Sequence, residues 1–130
     1  DEADLVQRIV TIQERTSTQL RQAETAIITA IDAINAAKAA GATDDQLKEA
    51  RDFHRKASLR WDFISSENST GFHSPQEAAR VLGDAMNFAR LAQVSAERAI
   101  TARTGAAPSF PLVPLDEAAV IGDPAPPRLP

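Results

Sequence analysis

Apolar residues recur every three or four positions through most of the chain, a spacing typical of amphipathic α-helices. In residues 3–40 successive apolar residues are four, three and four positions apart, and this spacing repeats about every eleven residues. Such a repeat indicates a nearly straight helix. The stripe of this first helix comprises Leu5, Ile9, Ile12, Thr16, Leu20, Ala23, Ile27, Ile31 and Ile34. Shorter stripes occupy residues 44–67 and 75–103. The pattern predicts an all-α fold of three antiparallel helices.

Helix-capping residues and prolines mark the ends of these elements. Thr43–Gln46 has the Thr/Gln spacing of a capping box at the start of the second helix. Ser74–Glu77 predicts an N-cap serine, a proline in the first turn and a second capping box. Seven of the eight prolines follow Gly105, where the third helix is expected to end. We therefore expect a helical domain over residues 1–105 and an irregular, extended Pro-rich tail over residues 106–130.

The first predicted helix is longer than its neighbours, so a three-helix bundle leaves part of its apolar stripe without an intrachain cover. An uncovered apolar stripe favours association with a helix of another chain. The residues expected at such an interface are Leu5, Ile9, Ile12, Leu20, Ile27, Ile31 and Ile34. The alternative is that the first turns fray and that the Pro-rich tail folds back over the rest of the stripe.

The composition supports a helical protein and argues against several functions. The 25 alanines, the six aromatic residues and the absence of tyrosine favour close-packed helices over a β-sandwich. A net charge of −4 argues against a general nucleic-acid or anionic-membrane binder. No apolar run reaches the roughly 18 residues that a membrane span needs. Without cysteine the chain has no disulfide, no thiolate nucleophile and no attachment point for covalent haem.

His73 is the residue best placed to present its side chain to a ligand. It lies in a short loop between Gly71 and the helix start at Pro75, which fixes the direction of the following backbone. A presented imidazole can ligate a metal or haem iron, transfer a proton, or only hydrogen-bond within the loop. Glu67 ends the preceding helix, where the helix dipole disfavours a carboxylate. It is therefore either solvated or paired with a histidine N–H or another positive group.

The remaining candidates have simpler interpretations. His54 lies on the apolar seam of the second helix, where we expect a partly buried ring with a local hydrogen-bond acceptor. Trp61 is expected to pack in the core and to need an acceptor for its indole N–H. Acidic residues are interspersed among the basic ones of this helix, which favours a solvated, salt-bridged face over carboxylate binding. These basic residues are Lys48, Arg51, Arg55, Lys56 and Arg60. No Ser/His/Asp set, phosphate loop or facing carboxylate pair indicates a self-contained enzyme.

Six segments, taken in order, carry a family resemblance. They are VQRIVTIQERT (6–16), AAKAAGATDDQL (36–47), Arg55-Lys56-Ala57, Arg60-Trp61-Asp62-Phe63, ENSTGFH (67–73) and Pro75-Gln76-Glu77-Ala78. Over about residues 5–100 they resemble the C-terminal helical region of ammonia-forming cytochrome c nitrite reductase. The most specific string runs from Glu67 through His73 to Pro75. No family motif matches the tail after Gly105.

The resemblance implies a parent enzyme that is periplasmic, is usually a homodimer and reduces nitrite to ammonia with six electrons. Its haem c groups, its calcium site and its substrate-binding residues would lie in an N-terminal multihaem domain that precedes this region. This chain would provide the long helices of the dimer. The resemblance also makes His73 an axial ligand of one electron-transfer haem iron, with Glu67 as a candidate acceptor for the second ring nitrogen. It implies neither a nucleic-acid partner nor membrane insertion.

Two functions of different classes follow. In the first, the chain is the C-terminal domain of the reductase and contributes oligomerisation and one haem ligand. It cannot be catalytic alone, because it has no cysteine to hold haem c. In the second, the chain is a stand-alone helical oligomerisation module without redox activity, and His73 only contributes to a loop. Haem-bearing sequence upstream of Asp1 would distinguish the two.

Overall fold

The computed structural model describes residues 1–105, which form three helices. They are α1 (Glu2–Ala39), α2 (Asp44–Ser65) and α3 (Pro75–Thr104), with 38, 22 and 30 residues. Each end lies within two residues of its predicted position. The all-α fold class is therefore confirmed. The predicted Pro-rich tail, residues 106–130, lies outside the described residues, so the division into domain and tail stays a prediction.

The predicted capping box is present at α2 and absent at α3. The Thr43 hydroxyl accepts a hydrogen bond from the Gln46 backbone N–H at 3.2 Å, and the Gln46 side chain accepts one from the Thr43 N–H at 2.9 Å. Ser74 occupies the N-cap position of α3, but its side chain makes no capping bond. The Glu77 carboxylate instead pairs with Arg80 at 2.6 Å. The prediction of a second capping box was therefore wrong, because its glutamate is engaged within α3.

The core consists of three layers along the bundle, and each layer contains one buried alanine of α1. In the order of α1 the layers are Ala23 with Ile64 and Leu82, Ala30 with Phe53 and Phe88, and Ala37 with Leu47 and Ala96. Helix α2 meets these layers in reverse order, so it runs antiparallel to both α1 and α3. Helix α3 packs extensively against both of the other helices.

Helix α1 packs through a seven-residue repeat and not through the predicted eleven-residue one. Its buried residues are Thr16, Ala23, Ala30 and Ala37. The residues that alternate with them and pack against the core clusters are Leu20, Ile27 and Ile34. This is the a/d pattern of coiled-coil packing. Ile31 is 37% exposed, because the smaller Ala30 faces the core and lets the helices approach closely.

The N-terminal turns of α1 are the least covered part of the described bundle. Leu5 and Val6 are 55% and 53% exposed, and Ile9 and Ile12 are only partly buried. Thr16 is the first residue of α1 that is buried. Within residues 1–105 the apolar stripe of α1 therefore continues past the buried core. None of the described helices combines the length and the apolar character needed to cross a membrane.

Candidate functional site

The connection between α2 and α3, residues 66–74 (the 66–74 loop), carries both Glu67 and His73. Its turn depends on two left-handed residues, Thr70 at φ 50° and Gly71 at φ 79°. Gly71 is buried against Thr16 of α1, so that a Cβ at this position would overlap Thr16 Oγ1 and lie 3.0 Å from Thr16 Cγ2. Glycine is therefore needed both for the backbone conformation and for the close contact with α1.

The Glu67 carboxylate organises the loop by accepting three hydrogen bonds. Oε2 accepts from the Ser69 hydroxyl at 2.6 Å and from the Gly71 N–H at 3.3 Å, and Oε1 accepts from the Ser69 N–H at 3.1 Å. The Ser69 hydroxyl contributes most to lowering the pKa of Glu67, followed by the two backbone donors and the nearby His73, against the opposing effect of desolvation. The loop thus stabilises a carboxylate that the dipole of α2 disfavours.

Ser69 connects this carboxylate to His73. Its hydroxyl donates to Glu67 and accepts a hydrogen bond from the His73 backbone N–H at 3.3 Å. Its carbonyl accepts from the Phe72 N–H at 3.2 Å, which closes the turn. Ser69 was not among the site residues predicted from the sequence. The available signal was a serine two residues after a helix-terminal carboxylate, a spacing at which local side-chain bonds replace helical ones.

The His73 imidazole is exposed and lies beside Glu67. Its side chain is 74% exposed, and Nδ1 is 3.7 Å from Glu67 Oε1. This distance is long for a hydrogen bond but short enough for electrostatic attraction when the ring is protonated. Among the described residues no hydrogen bond engages the second ring nitrogen, Nε2. The structure thus brings together the two site residues that the sequence singled out, and within residues 1–105 the second imidazole nitrogen stays without a hydrogen bond.

A groove of about 700 Å³ lies between the N-terminal half of α1 and the first turn of α3, next to His73 in sequence. Its lining includes the apolar side chains of Ile12, Pro75 and Ala79 and the charged side chains of Arg8 and Arg15. The surface beside the 66–74 loop is therefore concave and of mixed polarity.

His54 and Trp61 have the hydrogen-bond partners that were predicted for them, a local one for His54 and a backbone acceptor for the Trp61 indole. His54 is half-buried, and its Nε2 is 3.4 Å from the Ser58 hydroxyl on the next turn of α2. The Trp61 indole N–H donates to the Leu20 carbonyl of α1 at 3.0 Å. Both interpretations as packing residues are confirmed, and neither side chain belongs to the 66–74 loop.

The basic face of α2 is largely salt-bridged, as predicted. Three of its cations pair with aspartates of the same helix at 2.9 to 3.4 Å, namely Lys48, Arg51 and Arg55. Lys56 and Arg60 also lie over the Phe88 ring, at 5.4 Å and 4.5 Å from its centroid. These two long side chains cover an aromatic residue of the core, a role that their sequence pattern did not predict.

Within residues 1–105 no three His, Cys, Asp or Glu side chains lie together as a metal site. His73 is a single donor, and a haem iron requires only one imidazole nitrogen at an axial position, because the porphyrin supplies four ligands. Metal-bound histidines commonly have a carboxylate beside the other ring nitrogen. The exposed His73 ring, with Glu67 at Nδ1 and with Nε2 available, fits an axial haem ligand.

Comparison with known proteins identifies the family. A family model described as Cytochrome c552 matches residues 1–120. The chain belongs to the cytochrome c552 family. The resemblance found in the sequence is thereby confirmed, and the cytochrome c552 match continues past Gly105 into the tail, where the sequence analysis found no family motif.

Three relatives of this cytochrome c552 chain illustrate the similarity. The cytochrome c nitrite reductase subunit NrfA of Nitratidesulfovibrio vulgaris is 36% identical over 94 residues, and the match covers 68% of this chain and 18% of that protein. Cytochrome c-552 of Parabacteroides distasonis is 35% identical over 72 residues, and the match covers 55% of this chain and 14% of that protein. Cytochrome c-552 of Bacteroides fragilis is 38% identical over 60 residues, and the match covers 46% of this chain and 12% of that protein. The matched region is less than a fifth of the length of these relatives.

Proposed function

We propose that this chain is the C-terminal helical domain of a multihaem nitrite reductase that reduces nitrite to ammonia with six electrons. In that protein the chain supplies dimerisation helices and one axial haem ligand. The observation that carries the proposal is the exposed His73 beside Glu67, in a chain of the cytochrome c552 family. The similarity to a protein named cytochrome c nitrite reductase subunit supports the choice of reaction.

In this proposal the haem groups, the calcium ion and the cellular location are properties of the longer parent protein. The chain contains no cysteine, so haem c would be attached in the N-terminal multihaem domain, where calcium is also expected. A periplasmic location follows from the resemblance to ammonia-forming cytochrome c nitrite reductase. The N-terminal domain is then the first partner of this chain, and the 66–74 loop is the part of the chain that would contact it.

His73 is proposed to offer Nε2 to the iron of an electron-transfer haem. Glu67 lies 3.7 Å from Nδ1, on the side of the ring away from the proposed iron-binding nitrogen, where a carboxylate commonly orients a ligating histidine. When bound, the haem would carry electrons towards the site of nitrite reduction. The role of this chain is to hold the imidazole in place, and nitrite itself would bind in the N-terminal domain.

We expect the chain to form a homodimer through the uncovered part of the α1 stripe. Leu20, Ile27 and Ile34 pack against the core of their own chain. The stripe residues of α1 that remain to contact a partner chain are therefore Leu5, Ile9, Ile12 and Ile31. Burying each large aliphatic side chain contributes roughly 1.5–3 kcal/mol. Leu5→Asp combined with Ile9→Asp should shift sedimentation from dimer to monomer, and a wild-type chain that is monomeric throughout the micromolar range would refute this interface.

The ligand assignment is tested in the full-length haem protein. His73→Ala should remove the low-spin absorption of one haem and shift its reduction potential, because the iron loses one axial nitrogen. His54→Ala is the matched control, since that half-buried ring lies on α2 outside the 66–74 loop. It should leave every haem unchanged. Unchanged spectra and potentials in His73→Ala would show that the assignment is wrong.

A second candidate function is a stand-alone helical oligomerisation module without redox activity. The uncovered stripe of α1 and the absence of cysteine favour it. This candidate predicts a stable, colourless dimer of the 130-residue chain. Dimerisation alone does not separate the two functions, because both expect α1 to pair. Covalently bound haem in the native protein does separate them.

A further inference from the structure

We propose that Gln13 and Thr16 of α1 are positioning residues for the His73 imidazole. The inference rests on the haem-ligand role proposed above and adds residues from a different helix. The 66–74 loop is continuous with α2 and α3 at its ends, and α1 contacts it between those ends at Ser69 and at Gly71. One contact is a hydrogen bond to Ser69, and the other is packing against Gly71.

The first contact acts on the residue that joins Glu67 to His73. The Gln13 side-chain amide donates to the Ser69 carbonyl at 3.2 Å, in a partly buried bond between residues 56 positions apart. Ser69 in turn donates to the Glu67 carboxylate and accepts from the His73 N–H. A displacement of Ser69 therefore changes the surroundings of the imidazole through both of its neighbours.

The second contact fixes the backbone two residues before His73. Thr16 is 3% exposed, and its side chain occupies the space that a Cβ of Gly71 would need. Gln13 and Thr16 are three positions apart and therefore lie on the same side of α1. A helix is more rigid than a loop, so two contacts from one helix hold this loop in a defined position beside α1.

The experiment on Gln13 uses the full-length haem protein and measures the low-spin absorption and reduction potential of the haem that His73→Ala affects. Gln13→Leu keeps a similar size and removes the donor to Ser69. One hydrogen bond of ordinary strength shifts a two-state equilibrium by roughly twofold to tenfold, so the ratio of ligated to unligated haem should fall by about that factor. Gln13→Lys restores an N–H donor and should recover most of the signal. Gln7→Leu, at an exposed position earlier on α1, should have no effect.

The packing contact is tested with a matched pair at Thr16. Thr16→Val keeps the shape of the side chain against Gly71 and should leave the haem potential unchanged. Thr16→Ala opens a gap beneath Gly71 and should shift that potential in the same direction as Gln13→Leu. A melting temperature measured for each variant separates this effect from a general loss of stability.

Comparing these variants with His73→Ala distinguishes a failure of the positioning inference from a failure of the ligand assignment. If His73→Ala alters one haem while Gln13→Leu and Thr16→Ala alter neither spectrum nor potential, the positioning inference is overturned and the ligand assignment stands. A lower melting temperature without a spectral or potential change overturns it in the same way. If His73→Ala itself has no effect, the ligand assignment and the positioning inference both fail.

Discussion

Replacing Gly71 by alanine tests how closely the 66–74 loop is held against α1. The φ of 79° costs a residue with a Cβ roughly 1–2 kcal/mol. The added methyl group would also overlap Thr16 Oγ1 and approach Thr16 Cγ2 to 3.0 Å. Thr16 is short, branched and buried, so it cannot move aside cheaply, and overpacking of this kind costs about 1–3 kcal/mol. Gly71→Ala should therefore lower the free energy of unfolding by about 2–5 kcal/mol in urea denaturation.

Gly105→Ala is the matched control for this prediction. Gly105 also has a positive φ, 68°, but a Cβ there would meet no atom of the described residues 1–105 within 4 Å. Replacing Gly105 by alanine should therefore lower the free energy of unfolding only by the cost of the positive φ, roughly 1–2 kcal/mol. Combining Gly71→Ala with Thr16→Ala should recover most but not all of the steric cost, because the Cβ of residue 16 would still lie 3.1 Å from the added methyl group. The coupling between the two replacements should therefore be about 1–2 kcal/mol. Equal losses at the two glycines, or additive effects of the Gly71 and Thr16 replacements, would refute the close contact between the loop and α1.

Three further predictions concern the stability of the bundle. Thr43→Ala removes the capping box of α2 and should lower the free energy of unfolding by about 0.5–2 kcal/mol in urea denaturation. An unchanged denaturation midpoint would show that the capping box does not stabilise α2. Leu82→Ala empties a fully buried position and should cost about 2–5 kcal/mol, whereas Leu59→Ala, 62% exposed, should cost less than about 0.5 kcal/mol. A hydrogen bond from Arg51 and its charge lower the pKa of Asp44 below 3.8, so this stabilisation is present above that pH and is lost as pH falls through the lowered value. Asp44→Asn should therefore lose less thermal stability on acidification than the wild type, and equal losses would exclude this contribution.

The helix bounds could be predicted because their signals are local. A glycine with positive φ ends α3, a proline begins it, and the Thr43 capping box lies within four consecutive residues. The face of α1 that enters the core could not be predicted in the same way. Ala30 and Ile31 are both apolar, so periodicity alone does not choose between them. The choice depends on how closely α2 and α3 approach, which favours the smaller side chain.

The candidate site was predictable only in part, for a similar reason. Glu67 stood out because a carboxylate at the end of a helix is electrostatically unfavourable, and the structure supplies the N–H and O–H donors that offset this cost. His73 stood out because it precedes a helix start. The contribution of Gln13 left no local signal, since its partner lies 56 residues away in the chain. Contacts of this kind follow from the packing of the helices and not from any motif.

The central claim is that this chain is part of a larger, haem-bearing enzyme and not a protein that acts alone. The most direct test is the intact mass and visible absorption spectrum of the native protein purified from its source. We predict a red protein much heavier than 13.9 kDa, with the Soret band of covalently bound haem c. A colourless species of 13.9 kDa would contradict the account and would leave the helical oligomerisation module as the better description.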